Sequence, residues 1–150
     1  MEYRIADMRD IQTLVDFRKR QLIDEGQIPN INIDQSLTEY FYRNLSENTL
    51  VQCIAMENGE PVATGGVHFY CYPPSFTNAT GKQAYIANLY TMPDFRGKGI
   101  AKTILNLLIE EAESRAYHTV CLQASAQGYP LYKQYGFVDI GGFMKFDKNM

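Results

Sequence analysis

Cysteine and histidine are scarce in this 150-residue chain, three of the former and two of the latter, and no stretch approaches a membrane-spanning run. Cys53, Cys71 and Cys121 lie far apart in apolar runs, so they read as small, reduced, buried hydrophobes rather than a disulfide framework. His68 and His118 show no metal-ligand spacing, and no metal is expected. Positive charge is not in excess: 14 Lys and Arg against 17 Asp and Glu give a net charge of −3, which argues against broad nucleic-acid binding. No apolar leader follows Met1, so a cytoplasmic location is expected, and Asn78-Ala79-Thr80 is then a polar loop rather than a glycosylation site. Repeats, linkers and low-complexity stretches are also lacking. The expectation is one domain over residues 1–150, with no membrane association, long enough to bury a core without disulfides or a metal.

What is present is a regular succession of strand and helix patterns. A short alternating segment at Tyr3 to Ala6 precedes a helical stripe of Ile11, Leu14, Val15, Arg18 and Leu22, interrupted once and stopped by Gly26 and Pro29. Asp24 and Glu25 close that helix and read as a solvated end rather than a catalytic pair. A second helix carries Leu37, Tyr40, Phe41 and Leu45 on one face. Leu50 to Met56 is a strand, Asn58-Gly59 a two-residue hairpin turn, and Pro61 to Tyr72 the returning partner. Gly65-Gly66 within that partner marks a bulge or the close approach of another backbone. Gln83 to Met92 is the next strand, and a long helix follows with Ala101, Leu105, Leu108 and Ala112 in a stripe beside Ile104 and Ile109. His118 to Gln123 and Phe137 to Ile140 read as strands around a short helix from Gly128 to Tyr135. Gly141-Gly142 then turns the chain into a last strand, Phe143 to Phe146.

The chemistry concentrates between the Gln83–Met92 strand and the long helix. Arg96-Gly97-Lys98-Gly99-Ile100-Ala101-Lys102 is a glycine-rich basic turn opening a helix. Glycines let backbone curl around an anion, and the helix's first free N–H groups and its dipole point into that curl. A mononucleotide P-loop ending at Lys102-Thr103 would need glycine at Arg96 and Ala101, and a dinucleotide loop from Gly97 would need Gly or Ala at Lys102. Both patterns fail. Arg/Gln-x-x-Gly-x-Gly/Ala fits as Arg96 to Ala101, and it resembles the acyl-CoA-binding motif of the GNAT superfamily of N-acetyltransferases. Leu131-Tyr132-Lys133-Gln134-Tyr135-Gly136-Phe137 resembles that family's Leu-Tyr-x-x-x-Gly-Phe segment, and the element order is similar to the whole GNAT fold.

The resemblance implies an α+β fold whose mixed, mostly antiparallel sheet has about seven strands, flanking helices and two central strands splayed apart around acetyl-CoA. Main-chain groups of Leu89 and Thr91, with Tyr90 between them, would bond the pantetheine arm, and amides from Gly97 through Lys98, Gly99, Ile100 and Ala101 would hold the pyrophosphate. Arg96, Lys98 and Lys102 would add full charges. Ala124 and Ser125 would line the gap, Leu89 N–H would face the thioester oxygen, and Tyr132 would protonate the leaving thiolate unless it is only a packed aromatic. Two departures stand out. Ser125, Ala126 and Gln127 occupy the region where many members place an asparagine, and Tyr85 stands where histone-type members carry a glutamate base. A water chain held by Tyr85 and Asn88 is the expectation in its place. The implied activity is direct transfer of acetyl from acetyl-CoA, a cosubstrate, to a primary amine of a small molecule, in an enzyme compatible with a homodimer. A protein or peptide acetyltransferase and a non-catalytic acyl-CoA-binding module stay open as alternatives. The acceptor is expected between residues 26–33, 73–82 and 139–142, with the aromatic run Phe69 to Phe76 either capping it or packing the hairpin.

Overall fold

A computed structural model describes residues 1–149, and its order is β1 (Glu2–Ile5), α1 (Ile11–Asp24), α2 (Asp34–Ser46), β2 (Leu50–Glu57), β3 (Glu60–Cys71), β4 (Lys82–Thr91), α3 (Ile100–Ser114), β5 (Val120–Leu122) and α4 (Tyr129–Tyr135). The strands form one sheet in sequence order, antiparallel from β1 to β4 and parallel between β4 and β5. Asn58 and Gly59 both take positive φ, +51° and +80°, as a two-residue hairpin between right-twisted strands requires.

The sheet is covered on both faces, which is why β2 is buried along most of its length. One face packs α3 through Ile100, Ile104, Leu105, Leu108 and Ala112 against Val51, Ala63, Val67 and Ile86. Ile104 lies in the seam of that helix, whereas Ala101 and Ile109 are only half-buried at its sides. The other face packs Leu14, Val15 and Phe41 of α1 and α2 against Leu50 and Ile54. Each fully buried aliphatic side chain contributes about 1.5–3 kcal/mol of transfer free energy. Near the start of the chain, Asp10 accepts two 2.8 Å hydrogen bonds from Arg4 and a third from the Asp7 amide, which fixes the entry into α1.

Two sequence expectations fail here. Residues 137–140 and 143–146 form no strands, so the described residues hold five strands rather than about seven. The only edge left for them on that side is β5, three residues long, and Val138, Ile140, Phe143, Met144 and Phe146 are exposed instead. Of the cysteines, only Cys53 is core, its thiol pushed up to about 11 by burial; Cys71 is exposed and Cys121 half-buried.

Candidate active site

The sheet is interrupted where β4 meets its neighbours. Thr64 of β3 pairs with Tyr90 but Gly66 pairs with Ala87, so the single residue Gly65 faces two, Asn88 and Leu89. That extra residue is a β-bulge, and Asn88 carries its strain at φ +58°. A Cβ on Gly65 would come within 2.6 Å of Leu89 Cδ1 and 2.7 Å of Ile104 Cγ2, so glycine lets the bulge and α3 close on β3. On the opposite edge, the β4–β5 ladder stops at Ile86 and Leu122, after which the two strands part. Bulge and divergence together open a cavity of about 850 Å³ lined from α1, β4, the loop before α3, and residues 123–132.

One end of the cavity is the glycine turn. Gly97 and Gly99 hold φ of +76° and +80°, and a Cβ on either would meet no atom within 4 Å, so their backbone is open to a ligand. Gly99 N-caps α3 without a side-chain cap, and the first helical amide to find a partner within the helix is Thr103, bonded to Gly99 O at 3.1 Å. The amides of Ile100, Ala101 and Lys102 are therefore the unclaimed donors of the first turn, beside the Lys102 ammonium. This donor set fits a pyrophosphate.

Arg96 is more tightly held than its motif implies. Its Nε donates to Thr91 O at 2.8 Å, its Nη2 to Asp24 Oδ2 at 2.7 Å, and its guanidinium lies 5.5 Å above the Tyr90 ring. Thr91 O is thus shared with Arg96, and Asp24 is drawn into the cavity wall together with Glu25. Both acids are exposed at the end of α1, as expected of a solvated helix end, and they also border the cleft. Lys98 does not line the cavity; its ammonium sits 5.2 Å from the Phe95 ring.

At the other end stand Tyr85, Asn88, Leu89, Ser125 and Tyr132. Tyr132 is 9% exposed, edge-on to Phe137 at 5.8 Å, and burial, with Glu25 and Tyr85 adding to it, pushes its phenol up to about 12. Such a phenol keeps its proton across the physiological range and stands in the cleft as a neutral hydrogen-bond donor. Ser125 Oγ accepts the Gly128 amide at 3.1 Å, and Cys121 is paired in β5 opposite Tyr85. His68, on β3, is engaged with Asn44 at 3.2 Å. The wall facing α1 is made by Arg18, Gln21, Leu22, Asp24, Glu25 and Gln27. Of the three loops expected to hold the acceptor, Gln27 alone lines the cavity.

A bulged strand, a diverging neighbour and a glycine turn opening a helix all border one cleft, the arrangement that the resemblance to the N-acetyltransferases implies. The model of the acetyltransferase (GNAT) family matches residues 14–137, and the chain belongs to that family. Among its relatives is thialysine N-epsilon-acetyltransferase, 26% identical in Mus musculus over 93% of this chain and 83% of that protein. The Sus scrofa protein is 27% identical over 63% of this chain, and this match spans only 59% of its length. A crystal structure of a predicted acetyltransferase from Clostridium acetobutylicum with acetyl-CoA is 50% identical and superimposes with a TM-score of 0.95, covering 97% of this chain and 95% of that one. The chain is thus an acetyltransferase of the GNAT type.

Proposed function

We propose that this enzyme is cytoplasmic and moves the acetyl group of acetyl-CoA directly to a primary amine of a small molecule. The observation that carries the reading is the cleft between the bulge at Asn88 and the glycine turn at Gly97 and Gly99, with Tyr132 on its far wall. In this reading the amides of Gly97 to Lys102 hold the pyrophosphate, aided by Arg96 and Lys102, and the backbone of Leu89 to Thr91 holds the pantetheine arm as an added strand. The acceptor ammonium loses a proton to water held at Tyr85 and Asn88, there being no carboxylate at Tyr85 to take it. Its nitrogen lone pair then forms the new bond to the thioester carbon. Negative charge moves to the carbonyl oxygen, facing Leu89 N–H. On collapse the carbon–sulfur bond breaks, the electron pair goes to sulfur, and the Tyr132 hydroxyl supplies the thiol's proton, while the second proton that the nitrogen sheds on becoming an amide returns through water to the Tyr132 oxygen.

Engagement of Ser125 Oγ by Gly128 supports transfer without an acyl-enzyme. The name of the curated relatives makes an amino acid with a side-chain amine the first acceptor to try. A homodimer is part of the reading, supported by the exposed apolar run from Val138 to Phe146 and tested by sedimentation.

The test is thiol release from acetyl-CoA with a panel of amino acids, polyamines, aminoglycosides and peptides. Transfer to at least one small amine is expected, with acetyl-CoA binding lost in Gly99→Val, where a β-branched residue would have to adopt φ +80° beside the ligand. Folded Gly99→Val that binds acetyl-CoA as the parent does, or transfer to peptides alone, would overturn it.

A further inference from the structure

Arg18 breaks the apolar stripe of α1 at the point where that helix faces the cleft. Its neighbours on the stripe, Leu14 and Val15, are fully buried, while Arg18 is half-buried and lines the cavity. A guanidinium in such a place is ordinarily paired with a carboxylate. Among the described residues its hydrogen bond is to a neutral group, Gln21 Oε1 at 3.1 Å from Nη1, and no carboxylate lies within ion-pair distance. On the same wall Asp24 is matched with Arg96, whereas Glu25, like Arg18, is bonded only to the neutral Gln21.

A second donor in the same region lacks an acceptor. Asn88 is 7% exposed, lines the cavity, and its amide nitrogen is buried without a hydrogen-bond partner. Tyr40 lies near both: burial raises its phenol pKa, and hydrogen bonding toward Asn88 and the Arg18 charge work against that rise, although the contact falls short of a well-formed hydrogen bond to the Asn88 amide nitrogen. Position along the helix assigns this group to the acceptor side. Arg18 is six residues before Asp24, about 9 Å along the axis from the point where α1 meets Arg96 and the phosphate end of the cleft. A guanidinium bonded only to a neutral amide, near an amide nitrogen without a well-formed partner, calls for an anionic oxygen pair on the ligand, and a planar fork suits a carboxylate.

We infer that Arg18 is the anchor for a carboxylate on the acceptor, so that the substrate of this acetyltransferase is an amine that also carries a carboxylate, of the amino-acid type. The inference rests on the amine-acetylation reading above and adds to it a specificity-determining residue. Arg18 contributes nothing to bond making; it holds the far end of the acceptor while the amine lies at Asn88 and Leu89.

Matched acceptors that differ only in the carboxylate provide the test: thialysine with bis(aminoethyl) sulfide, lysine with cadaverine, and ornithine with putrescine. The wild-type enzyme is expected to favour the carboxylated member of at least one pair by about 10–100-fold in kcat/KM, the range of a charge-assisted hydrogen bond. In Arg18→Gln that preference disappears through KM. The effect on the diamine is at least tenfold smaller, acetyl-CoA affinity by calorimetry is unchanged, and Arg18→Lys restores part of the preference. Equal turnover within every pair, preference for the diamines, or a loss in Arg18→Gln that is the same for both members would overturn the anchor while leaving amine acetylation standing. Acetyl transfer to no amine of any kind would overturn both.

Discussion

Gly65→Ala tests whether the bulge of β4 is held by packing from behind. The added methyl would come 2.6 Å from Leu89 Cδ1 and 2.7 Å from Ile104 Cγ2, about 1 Å inside an ordinary carbon–carbon contact. Ile104 is β-branched, fully buried and fixed on α3, so it has little room to turn. Leu89, only partly buried, is the side that gives way. Its displacement costs roughly 1–3 kcal/mol as overpacking, and for a domain of this size about 2 kcal/mol lowers Tm by roughly 4–8 °C. Function should suffer more, because the proposed mechanism sets Leu89 N–H against the thioester oxygen and a shift near 1 Å can cost about 100-fold in rate. The assay is thermal unfolding beside steady-state kinetics with whichever amine the panel identifies. The expected outcome is kcat down by about 10–100-fold with acetyl-CoA KM changed little. Parental Tm together with parental kcat would refute the reasoning; parental Tm with lowered kcat would refute its packing half.

Tyr132→Phe keeps the ring against Phe137 and removes the proton donor, so kcat should fall by about 10²–10⁴-fold with acetyl-CoA affinity maintained; normal turnover in the folded variant would reduce Tyr132 to packing. The raised phenol predicts an alkaline weakness as well. With the folded value near 12 and the unfolded one near 10, stability is complete below pH 10 and is lost between pH 10 and 12, by a few kcal/mol at most that Tyr132→Phe should recover, measurable by urea unfolding across that range. At the acid end, Arg4 holds the Asp10 carboxyl below its ordinary value of 3.8, so its contribution is present above that pH and is lost as the pH falls through the depressed value. Asp10→Asn should cost about 1.5–3 kcal/mol at pH 7 and flatten the stability profile below pH 4, as followed by urea unfolding.

Features encoded in adjacent residues were legible in the chain itself. The hairpin at Asn58-Gly59, the close approach at Gly65-Gly66 and the glycine turn before α3 each depend on residue types whose backbone freedom or missing side chain has one use in that context. Contacts across the fold were not legible. Asp24 and Arg96 are 72 positions apart, and only α1 lying across β4 brings the carboxylate to the turn. Without that partner in view, Asp24 and Glu25 look like any acidic helix end and Arg96 like a free phosphate ligand. The same limit hid the acceptor wall: Arg18 reads as a flaw in an apolar stripe until the cavity beneath it is known. The last two strands failed for the opposite reason. Their alternation is real, but alternation needs an edge to pair with, and β5 has only three residues.

The parting of β4 and β5 after Ile86 and Leu122 also divides the molecule mechanically. Three register pairs join β5 to the rest of the sheet, and α4 lies beyond them. Residues 120–135 form a flap held by that short ladder and by Tyr132 in the core, fewer ties than the antiparallel ladders from β1 to β4 have, and opening it should cost less. A ligand seated between the strands stitches this flap to the body, so amide hydrogen exchange in β5 and α4 should slow most when acetyl-CoA binds. The cleft that admits the cosubstrate is thus also the seam along which the domain comes apart, and occupancy of one closes the other.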